Sequence, residues 1–169
     1  MKRCTLLDHF KRHAIKADAF FLVPAFFLYC GGMALLGWDV IRRELATGLI
    51  QALSPVGLVL VGVGLVFVIV GSLTLGRNYS SSLVIRKDHK LVVSGIYRVV
   101  RHPIYLGAIL VTLGMPISTA SWIALPPMLL LIPLVVYRMG VEERLLLEEF
   151  GDDYRAYMER TKRLVPFLY

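Results

Sequence analysis

A chain of 169 residues is one domain or one small bundle, and this one is 57% hydrophobic with a net charge of +7. A mean hydropathy of +0.67 lies beyond an ordinary soluble domain, and the basic excess suits loops beside anionic lipid. The basic residues are spread along the chain with no aromatic-interleaved patch, which argues against a nucleic-acid partner, and the two cysteines, Cys4 and Cys30, do not make a disulfide framework.

Residues 1–19 are polar and basic; Leu6, Leu7, Phe10 and Ile15 suit either a short interfacial helix or a frayed basic anchor. Residues 20–38 carry no charge and are long enough to cross a bilayer core of about 30 Å, with Trp38 at the interface. The run is too long for a signal peptide. Residues 39–54 read as a polar connection in which Asp39 and Glu44 balance Arg42 and Arg43. A second span follows at 55–75, where Gly57, Gly62, Gly64 and Gly71 allow another helix to approach closely. Its glycines lack the spacing and the strand context of a dinucleotide fingerprint.

Residues 76–101 form a long polar loop in which Arg77, Arg86, Lys87, Lys90, Arg98 and Arg101 face one acid, Asp88. Ser94-Gly95 is a turn signal, and Pro103 suits the first position of a helix, with His102 before it as the cap. Two apolar runs, 104–117 and 122–137, are joined by Ser118-Thr119-Ala120-Ser121. The first is short, and the second holds Pro126, Pro127 and Pro133, so a tight helical hairpin with kinks is expected. Residues 141–160 continue as an amphipathic helix that Gly151 can interrupt; seven of the chain's twelve acids lie in 142–159. Charge bias places the N-terminus, the 76–101 loop and the C-terminal segment in the cytoplasm. The expected architecture is all-α: an integral membrane bundle of about four spans, the last two a tight hairpin, plus a C-terminal cytoplasmic helix.

Candidate chemistry falls in two places, 89–105 and Arg138 with Glu142 and Glu143. A helix start at Pro103 favours an anion. His102 can contact a ligand or cap its helix; His89, in a charged loop, can contact a ligand or stay solvated. Arg138 and Glu142 lie four apart on one helical face, either as an ion pair at the interface or with the Arg138 fork offered to a carboxylate. Tyr97 and Tyr105 can stack on a ligand or anchor at headgroup level, and Glu148, Glu149, Asp152 and Asp153 read as a solvated face. His9 and His13 have a metal-like spacing, but Lys11, Arg12 and Lys16 crowd them, and no metal is expected. No nucleophile elbow, P-loop or Ser/His/Asp grouping occurs.

The pattern H-x-L-V-x-x-G-x-Y-x-x-x-R-H-P-x-Y, from His89 to Tyr105, resembles the isoprenylcysteine carboxyl methyltransferase family. So do R-x-x-x-E-E at Arg138 to Glu143, F-G-x-x-Y-x-x-Y at Phe150 to Tyr157, and T-x-R-L-x-P at Thr161 to Pro166. The resemblance covers about residues 76–169, which would be the catalytic region, following the basic cytoplasmic segment (1–19) and the two transmembrane helices (20–75). It implies S-adenosyl-L-methionine as methyl donor, held by His89, Lys90, Leu91, Val92, Tyr97, His102, Pro103, Ile104, Tyr105 and Glu142. Arg138 would hold the carboxylate of a prenylated or lipid-like substrate, with Glu143 and Arg101 as possible additional site residues. The chain departs from the eukaryotic enzymes in having fewer spans and, around Ser82, no glutamine upstream of His89. Phospholipid N-methylation, an NADPH-dependent sterol-type reduction and a non-catalytic membrane role are the alternatives.

Overall fold

A computed structural model describes residues 2–47, 54–76 and 91–164, and the side chains within 21–44, 54–76 and 91–164. These residues form α1 (Lys2–Thr47), α2 (Pro55–Leu75), α3 (Pro103–Ser118), α4 (Leu125–Leu129), α5 (Leu131–Phe150) and α6 (Asp152–Arg160). A 3-10 turn at Gly95–Arg98 precedes α3. Among the described residues, three stretches are long and apolar enough to cross a membrane: Phe21–Glu44, Pro55–Leu75 and Leu125–Phe150; α3 is apolar but shorter, at 16 residues. The protein is a multi-pass integral membrane bundle with a C-terminal helix.

The tightest seam is α2 against α3. Gly57, Gly64 and Gly71 recur every seven residues on α2 and are buried; Gly107 and Gly114 do the same on α3. A Cβ added to Gly64 would lie 2.7 Å from the Gly107 carbonyl oxygen, and one on Gly114 would lie 2.9 Å from that of Gly57. Backbone therefore meets backbone along the seam, the mode of packing that a lipid solvent favours. Gly62 differs from the expectation: no atom stands where its Cβ would be, so it takes no part in the approach. It is five residues from Gly57, about 140° round the helix from the seam.

The first helix corrects the expected break at 39. α1 runs unbroken through the charged residues, and its backbone is also helical through most of the basic N-terminal segment. The charges satisfy one another on the helix: Asp39 pairs with Arg42 at 3.2 Å and Arg43 at 2.9 Å, three and four residues on. Ser121 Oγ donates to Asp39 at 2.7 Å, and Arg43 donates to the Thr119 carbonyl at 2.9 Å. The polar end of α1 is thereby latched to the turn between α3 and α4. Arg42 also lies over the exposed Trp38 ring, 5.2 Å from its centre, as an interfacial pair.

The predicted 122–137 span divides at Leu130 into α4 and α5. Pro126 and Pro127 sit in the first turn of α4, and Pro133 in the first turn of α5, where a missing N–H costs nothing. The predicted 141–160 helix likewise divides at Gly151, whose φ of 53° is the left-handed conformation glycine tolerates. Its first part continues α5 without interruption, and α6 turns back across the end of the bundle.

Candidate functional site at the α6 end of the bundle

The segment before α3 is held by the segment after α6. Val100 and Lys162 form a parallel bridge. Arg101 N–H donates to the Lys162 carbonyl at 2.8 Å and His102 N–H to that of Arg163 at 3.1 Å. The Tyr157 hydroxyl donates to the Tyr97 carbonyl at 2.7 Å. Arg101 Nη1 donates to the carbonyls of Met158 and Thr161 at the end of α6, where a cation suits the helix dipole. Tyr154 is fully buried between these elements. Burial raises the Tyr154 phenol and pushes that of Tyr157 up to about 12, so both stay protonated at neutral pH.

Two adjacent glutamates on α5 divide the site. Glu143 is buried and receives three cationic or donor groups: Arg101 Nε at 3.1 Å, His102 Nε2 at 3.2 Å and Arg163 Nη2 at 2.6 Å. His102 is the N-cap residue of α3 by position, but its side chain makes no cap hydrogen bond. Its ring turns to Glu143 instead, which corrects the capping alternative: a helix start offers N–H donors only, whereas the buried carboxylate accepts a ring N–H in a charge-assisted hydrogen bond.

Glu142 faces the other way. Arg138 Nε donates to the Tyr105 hydroxyl at 2.8 Å, and that hydroxyl donates to Glu142 Oε2 at 2.9 Å. Arg138 and Glu142 are thus joined through a phenol brought from α3. The Arg138 guanidinium is buried, and its carbon lies 4.8 Å from the centre of the Phe21 ring on α1. The Tyr105 ring meets that of His102 edge-on at 5.6 Å, so the two carboxylate clusters share a wall.

Beneath the Arg138 and Tyr105 pair lies an apolar groove of about 160 Å³. Phe21 and Tyr29 of α1, Ala108 and Thr112 of α3, Val135 of α5 and Met128 of α4 line it. Ala108 and Tyr29 are exposed, so the groove opens sideways between α1 and α3.

Of the residues expected in the site, Arg101, His102, Tyr105, Arg138, Glu142 and Glu143 are brought together. Tyr97 is buried below them, its hydroxyl 3.5 Å from the Gly71 carbonyl. Pro103 and Ile104 lie against Gly71 of α2. Leu91 and Val92 are half-buried on the irregular segment before the 3-10 turn, and His89 and Lys90 lie outside the described residues. Glu148, Glu149, Asp152 and Asp153 are exposed. Sequence reasoning did not anticipate Phe21 under Arg138, since an aromatic in an apolar span carries no signal of its own. Nor did it give Arg163 a role, although its place in the closing motif marked it. Among the described residues, no group of three or more His, Cys, Asp or Glu side chains is placed to hold a metal.

The bundle thus gathers its polar residues at one end, over an apolar groove. The chain belongs to the phospholipid methyltransferase family, whose pattern matches residues 51–153. Its relatives include protein-S-isoprenylcysteine O-methyltransferase B of Arabidopsis thaliana, 29% identical over 69% of this chain and 60% of the relative. A probable protein-S-isoprenylcysteine O-methyltransferase of Oryza sativa subsp. indica is 32% identical over 68% and 62%. Methanethiol S-methyltransferase 1 of Bradyrhizobium diazoefficiens is 36% identical over 43% of this chain and 25% of that one. The solved structure of the eukaryotic intramembrane Ras methyltransferase, an isoprenylcysteine carboxyl methyltransferase, superposes with a TM-score of 0.72 at 26% identity. It covers 83% of this chain and 52% of its own, so the chain spans about half to three fifths of these isoprenylcysteine relatives.

Proposed function

We propose that this protein transfers a methyl group from S-adenosylmethionine to the carboxylate of an isoprenylcysteine-like substrate held in the bilayer. The observation that carries the reading is the Arg138–Tyr105–Glu142 chain, which sets a cation and a carboxylate side by side over an apolar groove. The donor set suits a zwitterionic cofactor. Glu143 already serves three partners, whereas Glu142 takes one phenol and is half-buried, so Glu142 is the carboxylate able to receive an ammonium or ribose hydroxyls. The start of α3 offers the Ile104 and Tyr105 N–H groups to a carboxylate, because Pro103 has none. Bound there, S-adenosylmethionine supplies an electrophilic methyl group on a sulfonium.

The residues of this chain then position and desolvate. Arg138 holds the acceptor carboxylate with its planar fork, and Tyr105 fixes the fork's direction. A carboxylate is already a nucleophile at neutral pH, so no side chain has to remove a proton. The hydrocarbon of the substrate enters sideways through the opening between α1 and α3. The same reading places the α6 end and both termini in the cytoplasm, on the charge asymmetry of the loops. An amine acceptor fits less well, since a cationic headgroup would meet a guanidinium. A small thiol is the second reading, supported by the likeness to a methanethiol methyltransferase and by the small volume of the groove.

Titration calorimetry with S-adenosylmethionine on lipid-reconstituted protein tests the assignment. Wild type should bind, and Glu142→Ala should bind more weakly by about 2 kcal/mol, or roughly thirtyfold. Radiolabelled methyl transfer to an S-prenylcysteine acid, to phosphatidylethanolamine and to a small thiol identifies the acceptor. Absence of cofactor binding, or transfer only to the phospholipid amine, overturns the proposal.

A further inference from the structure

The lower end of the groove is closed by Met128, which is fully buried. Its side chain fills the space over Gly32 of α1: a Cβ on Gly32 would lie 2.6 Å from Met128 Cε. The closure is anchored from outside the groove. The turn preceding α4 is latched to α1 by Ser121 on Asp39 and by Arg43 on the Thr119 carbonyl, and Ala124, one residue before α4, is fully buried. A floor built on that latch cannot sink without breaking charged hydrogen bonds, the Ser121–Asp39 one buried.

The depth follows from the helices. Tyr105 to Thr112 on α3 and Arg138 to Leu131 on α5 are each seven residues, and Phe21 to Tyr29 on α1 is eight, so the groove descends about 10–12 Å below the polar cluster. A zigzag of bonds near 1.5 Å advances about 1.25 Å per carbon, so that depth takes about eight to ten chain carbons. The volume of about 160 Å³ sets a lower figure, since a cavity of roughly this size takes a six-carbon ring.

We infer that Met128, seated on Gly32, sets the length of apolar tail that the groove itself holds at about six to ten carbons, the size of a geranyl or medium alkyl group. The inference rests on the proposed acceptor chemistry for the head of the molecule, and on the groove alone for its tail. Carbons beyond the floor turn out through the side opening and meet lipid, which is as apolar as the groove and adds no binding.

The test uses full-length protein in lipid nanodiscs and S-alkylcysteine acids with C5, C10 and C15 tails, each ending in a photoreactive diazirine. Crosslinking sites are mapped by mass spectrometry, and the three probes compete with one another. In wild type the C10 probe should label the Gly32–Met128 region and outcompete C15 at least fivefold in labelling it. Met128→Ala removes the floor and should reverse that order. Gly32→Ala pushes the flexible Met128 end up into the groove and should shift the preference towards C5. The two substitutions move the profile in opposite directions, so loss of fold in one leaves the other to decide. Equal labelling of the floor by C10 and C15 in wild type, or an unchanged order in a folded variant, overturns the inference. Labelling needs no turnover. A correct length profile without methyl transfer refutes the acceptor chemistry alone, and transfer without a length profile refutes the floor alone.

Discussion

Replacing Glu143 by Gln separates holding the site together from working in it. The Glu143 side chain is 8% exposed, and its partners Arg101 and His102 are 10% and 4% exposed. Neutralising it leaves two guanidiniums and a buried imidazole around an amide that can accept at one oxygen only. Breaking a buried ion pair by removing one partner costs about 3–5 kcal/mol, and the retained amide places this case near the lower figure. The loss is local. Arg101, His102 and Arg163 stand on the paired segments at 99–102 and 162–163, whereas the glycine seam between α2 and α3 has no part in the cluster. Hydrogen exchange read by mass spectrometry in nanodiscs should therefore show 95–102 and 152–163 opening about a hundredfold more readily, with 57–71 unchanged. Glu142→Gln should leave that exchange pattern as it is and lower cofactor affinity. Unchanged exchange at 95–102 in Glu143→Gln, or an equal loss of protection in α2, would refute the view of Glu143 as the clamp between the α3 start and the chain end.

Arg138→Lys keeps a cation but loses the fork that reaches Tyr105, so methyl transfer to a carboxylate acceptor should fall tenfold or more while cofactor affinity holds; steady-state kinetics beside calorimetry checks it. Gly107→Val places carbon against the Gly64 carbonyl, only 2.5 Å from where its Cβ must go, and should destabilise the bundle by about 1–3 kcal/mol or prevent assembly. Gly62→Val, where nothing stands in the way, should be close to neutral in the same thermal unfolding assay.

The parts that were legible in the sequence were those set by local rules. Pro103 marked the start of α3, Gly151 the break before α6, and the uncharged runs the spans, because backbone chemistry and bilayer thickness act on the residue itself. The continuation of the first helix past Trp38 is not legible locally, because charge normally closes a membrane helix. Here Asp39 carries Arg42 and Arg43 on its own helical face and Ser121 from across the bundle, and that last partner is 82 residues away. Gly62 was grouped with Gly57, Gly64 and Gly71 because composition counts glycines, whereas a seam selects one face.

The division of labour between Glu142 and Glu143 shows where local reasoning stops. The two side chains are chemically identical and adjacent, and about 100° of helical rotation separates them. That rotation sends one to a phenol on α3, which an arginine of its own helix holds from the other side, and the other to three groups from the two chain segments that α6 brings together. Nothing in the order Glu-Glu says which is which. What decides it is that Arg101, His102 and Arg163 converge from outside α5, and a buried carboxylate already matched by that many donors has little capacity left for a ligand. The acid left with a single phenol is the one on which binding can depend. Under the proposed function, the ligand therefore falls to Glu142, whose lone pairs are the less satisfied, and the architecture to Glu143.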